Sequence, residues 1–273
     1  QQEFVIHPPA KLVVMANTTT IRDDQNRLIG YVSVLRDISE LKQLELLKSQ
    51  FVNMAAHELK APLSAIQGYL EMVVDKTLGD EPETYDSYLR RSLERSKSLI
   101  TLINDLLNIS RIQAGKVRRE IERLDLSLMT QSVADFFTNE IEKNGLTLET
   151  ELTEALLIDA DKEEIQRLLT NLISNAVKYN RPQGSITLHT SREKGYAKLV
   201  VRDTGIGMKP EEKERLFEEF FRAKNAHTRS ITGTGLGLTL VKKIVDSYAG
   251  RIEAESEYEV GTTFTLFLPL AER

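Results

Sequence analysis

Between Ser39 and Asp75 the apolar residues Leu41, Leu44, Leu47, Phe51, Ala55, Leu59, Ile66, Tyr69 and Val73 return at intervals of three, four or their sum. That spacing holds them on one stripe of a long α-helix, for which Ser39 is the expected N-cap. After the stretch KTLGDEPE a second stripe follows, through Tyr85, Leu89, Leu93, Ser96, Leu99, Ile103, Leu106 and Ile109. Two long helices joined by a short loop form an antiparallel hairpin. Each helix has a wide apolar face and little to bury it against, so the all-α hairpin is expected to dimerise into a four-helix bundle.

The rest of the 273 residues divides on either side of this hairpin. The expected organisation is multidomain, with an N-terminal part over 1–38, the hairpin over 39–120 and a mixed α/β domain over 121–273. Ahead of the hairpin, β-rich runs occupy Lys11 to Val14, Thr18 to Ile21 and Leu28 to Leu35, the last two flanking the turn DDQNR. About three strands do not make an independent domain. Beyond it, strands are expected near 121–124, 146–150, 156–159, 185–190, 197–202, 251–256 and 262–268. Helices are expected over 128–143, 161–179 and 236–248.

Composition closes off several functions. The formal net charge of −5 argues against a nucleic-acid surface, because phosphate contacts need clustered cations. No run approaches the roughly 18 apolar residues of a membrane span, so no membrane contact is expected of this stretch and a cytoplasmic setting is. With no cysteine there is no disulfide framework, thiolate nucleophile or zinc-finger spacing.

One residue of the first helix stands off the stripe. At about 100° per residue, His57 falls nearly opposite the direction set by Leu44, Phe51, Ala55, Ile66 and Val73, and so faces solvent. Most such histidines are merely solvated. Here Glu58 follows directly, and a carboxylate on one ring nitrogen fixes the tautomer while the other nitrogen attacks an electrophile. Pro62 lies one turn on, where it removes a helical hydrogen bond and is expected to bend the helix.

The second half carries a matching set. In NLISNAVKY, Asn171 and Asn175 lie one turn apart with Lys178 following, a hard oxygen ligand for Mg²⁺ beside a cation for phosphate. DTGIGM, from Asp203 to Met208, is a strand-ending turn. In TGTGLGLTLVKKIV, Gly233, Gly235 and Gly237 open a helix whose free N–H groups suit an anion. No P-loop lysine and no preceding strand accompany them, so neither a P-loop nor a dinucleotide turn is indicated. Between the glycine clusters, RAKNAHTRS carries Arg222, Lys224 and Arg229, the composition of a cationic lid.

Together these stretches resemble the sensor histidine kinases of two-component signalling. HELKAPL, NLISNAVKY, DTGIGM, FEEFFR (Phe217 to Arg222) and GTGLGL match the family's five motifs in order. The resemblance implies a phosphoacceptor hairpin followed by a gyrase-like α/β sandwich that binds ATP. It implies His57 as phosphoacceptor with Glu58 as base, and Asn175 as the Mg²⁺ ligand. Asn171, Lys178 and Tyr179 would surround the phosphates and sugar. Asp203 would accept from the adenine amino group, with Gly205 and Gly207 admitting the nucleotide to the backbone. Arg222 would reach the triphosphate, Gly233, Thr234, Gly235, Leu236 and Gly237 would anchor the lid, and Thr263 would lie near the base. A response regulator would receive the phosphoryl group, and the chain would work as a homodimer. LIGYVSVLRDISELK, from Leu28 to Lys42, resembles the last strand and exit of a PAS sensor domain; an irregular hairpin packed on the helices is the alternative. Membrane anchoring through residues upstream of Gln1 is compatible with all of this.

Two departures matter. Ala61 stands where many relatives carry the threonine or asparagine that orients water during regulator dephosphorylation. Asn171 stands where gyrase-type hydrolases carry a water-activating glutamate, and an amide cannot act as a base. The readings set against autokinase are therefore a hydrolase, a serine kinase on the same fold, and a dimeric scaffold that binds ATP without phosphorylating itself.

Overall fold

A computed structural model describes residues 2–6, 12–77, 82–113, 119–223, 228, 231 and 233–271. The chain forms two compact units, Gln1–Lys60 and Ala61–Arg273.

The first unit holds an antiparallel sheet ordered β1 (Gln2–Ile6), β2 (Leu12–Arg22), β3 (Leu28–Asp37), followed by the opening of α1 (Ser39–Val74). The two runs expected at 11–14 and 18–21 are one strand, because Asn17 between them stays in the ladder opposite Val34. The expected turn is closed by Asp23, whose carboxylate accepts from the amides of Gln25 and Arg27 and from Arg27 Nε. These donors hold the Asp23 carboxyl below the usual range. Ser39 is not the cap of α1. Its own amide donates to Asp37 Oδ1 at 2.9 Å, while its hydroxyl accepts from the Val13 amide at 2.8 Å. α1 runs unbroken through Pro62.

The second unit begins with the remainder of α1 and α2 (Pro82–Gln113), where Tyr69 and Tyr88 meet edge to face. Then come β4 (Ile121–Asp125), α3 (Leu126–Lys143), β5 (Thr147–Glu151), β6 (Leu157–Asp161), α4 (Lys162–Lys178), β7 (Ser185–Glu193) and β8 (Tyr196–Asp203). α5 (Pro210–Glu214), α6 (Gly237–Ser247), β9 (Arg251–Glu257) and β10 (Gly261–Pro269) complete it. β1 and the single turn of α5 are not among the elements expected from sequence. Asp125 and Asp161 fix the starts of α3 and α4 by accepting from amides two and three residues on. Asp125 thereby starts α3 two residues ahead of the expected position.

A five-stranded sheet runs β5-β7-β8-β10-β9, with β5 and β7 parallel and the other neighbours antiparallel; β4 and β6 pair separately. The inward residues alternate strictly: Ile186, Leu188 and Thr190 on β7, and Ala197, Leu199, Val201 and Asp203 on β8. α4 covers them with Ile165, Leu168, Leu169, Leu172 and Ile173, all fully buried. Its remaining face turns Asn171, Ser174, Asn175 and Lys178 toward one cavity.

At the other end of α4 the residues ahead of β4 are pinned. Arg119 donates to Glu164 Oε2 at 2.9 Å and to Ser247 Oγ at 2.8 Å, with its guanidinium 5.0 Å from the Tyr248 ring centre. The Tyr248 hydroxyl in turn donates to Glu164 Oε2 at 2.6 Å and accepts from the Asp161 amide at 3.0 Å. Burial and the Glu164 carboxylate raise the Tyr248 pKa.

Candidate functional site

Chemistry-bearing residues gather in two places, one in each unit. In the first, His57 stands on α1 with 83% of its side chain exposed. Its Nδ1 lies 3.4 Å from Glu58 Oε1, so the neighbouring carboxylate reaches the ring without help from another segment. A proton on Nδ1 facing that carboxylate leaves Nε2 as the nucleophilic nitrogen.

In the second unit, a cavity of about 220 Å³ opens between α4, the glycine-rich turns and β10. One end is built around Asp203, the last residue of β8 and the last of its inward-facing set. Asp203 Oδ1 accepts from the amides of Gly205 at 2.9 Å and Thr262 at 3.3 Å. Among the described residues Oδ2 has no partner. Burial pushes this carboxyl up to about 6, against the pull of the two amides. Ile206, Met208 and Phe264 supply apolar walls for a flat ring.

The threonine at this end is Thr262 rather than the expected Thr263. Thr262 pairs with Asp203 across the ladder, is buried and lines the cavity. Thr263 pairs with Arg202, and alternation along the strand turns it to the opposite face. Sequence gives the alternation but not its parity.

The same cavity carries a polar set. Asn175, Lys178, Tyr179 and Arg222 line it, with Gly233, Thr234, Gly235 and Gly237. Asn171 lines it too, but its amide is committed: Nδ2 donates to the Arg167 carbonyl at 2.9 Å, and Oδ1 abuts Gly237, where a Cβ would overlap it. The Asn175 side chain has no such partner among the described residues. Arg222 donates through Nη2 to the Ile231 carbonyl, and its buried Nε has no partner among the described residues. Leu236 does not line the cavity; it is fully buried, and its amide donates to Thr234 Oγ1 at 3.2 Å. Lys224 and Arg229 lie outside the described residues.

The glycines serve backbone packing. Gly205 presses on the Tyr179 carbonyl, and Gly207, at φ +58°, on the Glu257 carbonyl; a Cβ at either would overlap those oxygens. Gly207 also borders the cavity, whereas Gly205 does not. Gly235, at φ +71°, clears the Phe220 backbone.

Sequence reading missed two contributors, Thr101 and Asp105, one turn apart on α2 and both lining the cavity. Thr234 Oγ1 donates to Asp105 Oδ2 at 3.3 Å. Burial raises the Asp105 carboxyl, opposed by that hydroxyl and by the charges of Arg167 and Lys178. The only signal in the sequence is their polar i,i+4 spacing beside the stripe, which alone reads as solvated surface.

Two family models match the chain: "His Kinase A (phospho-acceptor) domain" over residues 47–115, and "Histidine kinase-, DNA gyrase B-, and HSP90-like ATPase" over residues 160–272. Sensor protein SrrB of Staphylococcus aureus (strain NCTC 8325 / PS 47) is 30% identical over 263 residues, covering 96% of this chain and 45% of that protein. The chain thus spans less than half the length of this relative. Among solved structures, Acinetobacter baumannii histidine kinase AdeS is 24% identical with a TM-score of 0.65, covering 79% of this chain and 98% of that one. Histidine kinase ThkA, solved in complex with response regulator protein TrrA, is 24% identical with a TM-score of 0.66, covering 98% of this chain and 78% of that one. At such identity the two structures establish the shared fold, a helical hairpin followed by an α/β domain.

Proposed function

This chain belongs to the sensor histidine kinases, and from that premise we propose that it transfers the γ-phosphoryl group of ATP to His57 and then to an aspartate of a response regulator. The observation that carries the reading is the polarity of the cavity. A buried carboxylate with one open oxygen shares a single cavity with the Asn175 amide, the Lys178 ammonium and the Arg222 guanidinium.

Asp203 Oδ2 would accept from the adenine amino group, and a neutral base accepts such contact better than a second charge would. Lys178 and the Arg222 guanidinium would meet phosphate oxygens. The donor set fits a divalent ion, since the Asn175 amide is a hard oxygen ligand left open. A Mg²⁺ held there would neutralise phosphate charge.

In the transfer, His57 Nε2 attacks phosphorus. The N–P bond forms as the bond from phosphorus to the β,γ-bridging oxygen breaks, and that electron pair leaves with ADP. Glu58 Oε1 takes the Nδ1 proton, offsetting the charge that develops on the ring. Hydrolysis is disfavoured because Asn171, in the position of a hydrolase base, is an amide whose Nδ2 is tied to the Arg167 carbonyl and whose Oδ1 is crowded by Gly237.

Homodimerisation is supported by apolar residues left exposed on both helices, Leu41 and Leu44 on α1 and Leu89, Leu93, Ile100 and Ile103 on α2. The extents 39–120 and 121–273 are read as the phosphoacceptor and catalytic parts. The β1–β3 sheet is read as the closing portion of a PAS-type sensor. No described helix is long and apolar enough to cross a membrane, and use of ATP favours a cytoplasmic site of action.

The test is incubation with Mg²⁺ and γ-labelled ATP beside a His57→Gln variant. Acid-labile, base-stable label in the parent and none in the variant is expected. Label retained in the variant, or absent from both while nucleotide still binds, would sink the autokinase reading.

A further inference from the structure

α2 is seated on the ATP-binding part of its own unit. It packs on α6, with Leu102 and Ile109 buried at 4% and 0% exposure. Asp105 lies between these two anchors on the same face. Its carboxylate accepts from Thr234 in the glycine turn and shares the ground of Lys178 and Arg167. Asp105 lines the same cavity as Asp203 and Thr262, on the side of the glycine turn that carries Thr234 and with Lys178 among the lining.

We propose that Asp105 is a selectivity residue, which makes the arrangement with α2 seated on the glycine turn favour adenosine diphosphate over the triphosphate. The inference rests on the ATP reading above. A fixed carboxylate repels phosphate, and the triphosphate both carries more charge than the diphosphate and extends farther from the base. With no nucleotide, Asp105 supplies the negative charge that Lys178 would otherwise find in phosphate. Accommodating a third phosphate means separating Asp105 from Thr234. α2 therefore stays seated with product and is displaced by substrate, so the helix that follows the phosphoacceptor helix senses which nucleotide is held.

The test compares the 273-residue chain with Asp105→Asn, Asp105→Ala and, as a charge control on the exposed face of α2, Glu94→Gln. Affinities for Mg²⁺–ADP and for a non-hydrolysable Mg²⁺–triphosphate analogue are read by calorimetry. Asp105→Asn, which keeps the shape and an acceptor for Thr234, is expected to tighten the triphosphate about tenfold and the diphosphate less than about threefold. Asp105→Ala should shift the ratio equally and Glu94→Gln not at all. A ratio unchanged in Asp105→Asn, or moved only in Asp105→Ala, overturns the inference. A triphosphate weakened by loss of the carboxylate also overturns it, since Asp105 would then be helping to hold the metal. No nucleotide binding by the parent would instead refute the ATP reading and the selectivity together.

Discussion

Thr262 sits directly across the β8–β10 ladder from Asp203 and gives its amide to Asp203 Oδ1 at 3.3 Å. The strand pairing itself thus aims the carboxylate, occupying one oxygen and leaving the other open to the cavity.

Nucleotide affinity should follow the charge of that carboxylate. With the Asp203 carboxyl raised to about 6, the accepting form falls to about one tenth at pH 5. ATP affinity is expected to drop about tenfold from pH 7 to pH 5, and an Asp203→Asn variant should bind weakly at both. The stability effect has the opposite sign. The native value lies above the ordinary 3.8, so the folded chain holds more protons between the two, and Asp203 lowers stability as pH rises from about 4 to 6. Affinity flat across this range in a calorimetric titration would contradict the assignment.

Thr262 and Thr263 separate by face. Thr262→Val should weaken ATP binding by about three- to tenfold, because it removes the hydroxyl that bonds to Ser256 Oγ at 2.9 Å and so loosens a residue of the cavity lining. Thr263→Val should leave binding within about twofold. Equal effects would mean that strand parity does not govern the site.

Gly207→Ala should destabilise the catalytic part by about 2–4 kcal/mol in denaturant titration. A Cβ there would overlap the Glu257 carbonyl, and the backbone is already at φ +58°. A loss below about 0.5 kcal/mol would mean that the turn relaxes freely.

Ala61 offers no hydrogen-bonding side chain to orient water. The chain is expected not to accelerate loss of phosphate from its phosphorylated response regulator, and Ala61→Thr should introduce or raise that activity. Rapid regulator dephosphorylation by the parent would refute this.

Leu44→Glu and Leu93→Glu each place a charge on an exposed apolar stripe. Both should shift the chain toward monomer in sedimentation, with helix content preserved. A dimer indifferent to both substitutions would locate the interface elsewhere.

The parts legible in the sequence were those with a local period. The stripes of α1 and α2 and the alternation of β7, β8 and β10 depend on spacing alone, and the glycine turns on composition. What escaped depends on partners distant in the chain. Ser39 has the residue type of a cap, yet its hydroxyl is taken by Val13 and its own amide by Asp37. Asn171 and Asn175 look equivalent one turn apart, and the bond to the Arg167 carbonyl together with the approach of Gly237 distinguishes the tied amide from the open one. Asp105 reads as solvated helix surface until the glycine turn comes against it, 129 residues later.

Arg119 joins the first turn of α4 to the end of α6, through Glu164 and Ser247. Farther along, Asn171 meets Gly237 where α6 begins. The two antiparallel helices are thereby bonded through Arg119 at one point and in close packing contact at another, as the long members of a frame. A load applied to the chain ahead of β4 enters this frame at one corner, and Asn175, Lys178 and the glycine turn lie toward the other. Tension arriving from α2 would then tilt the frame as a piece, carrying the polar groups and the turn together and leaving the width between them unchanged.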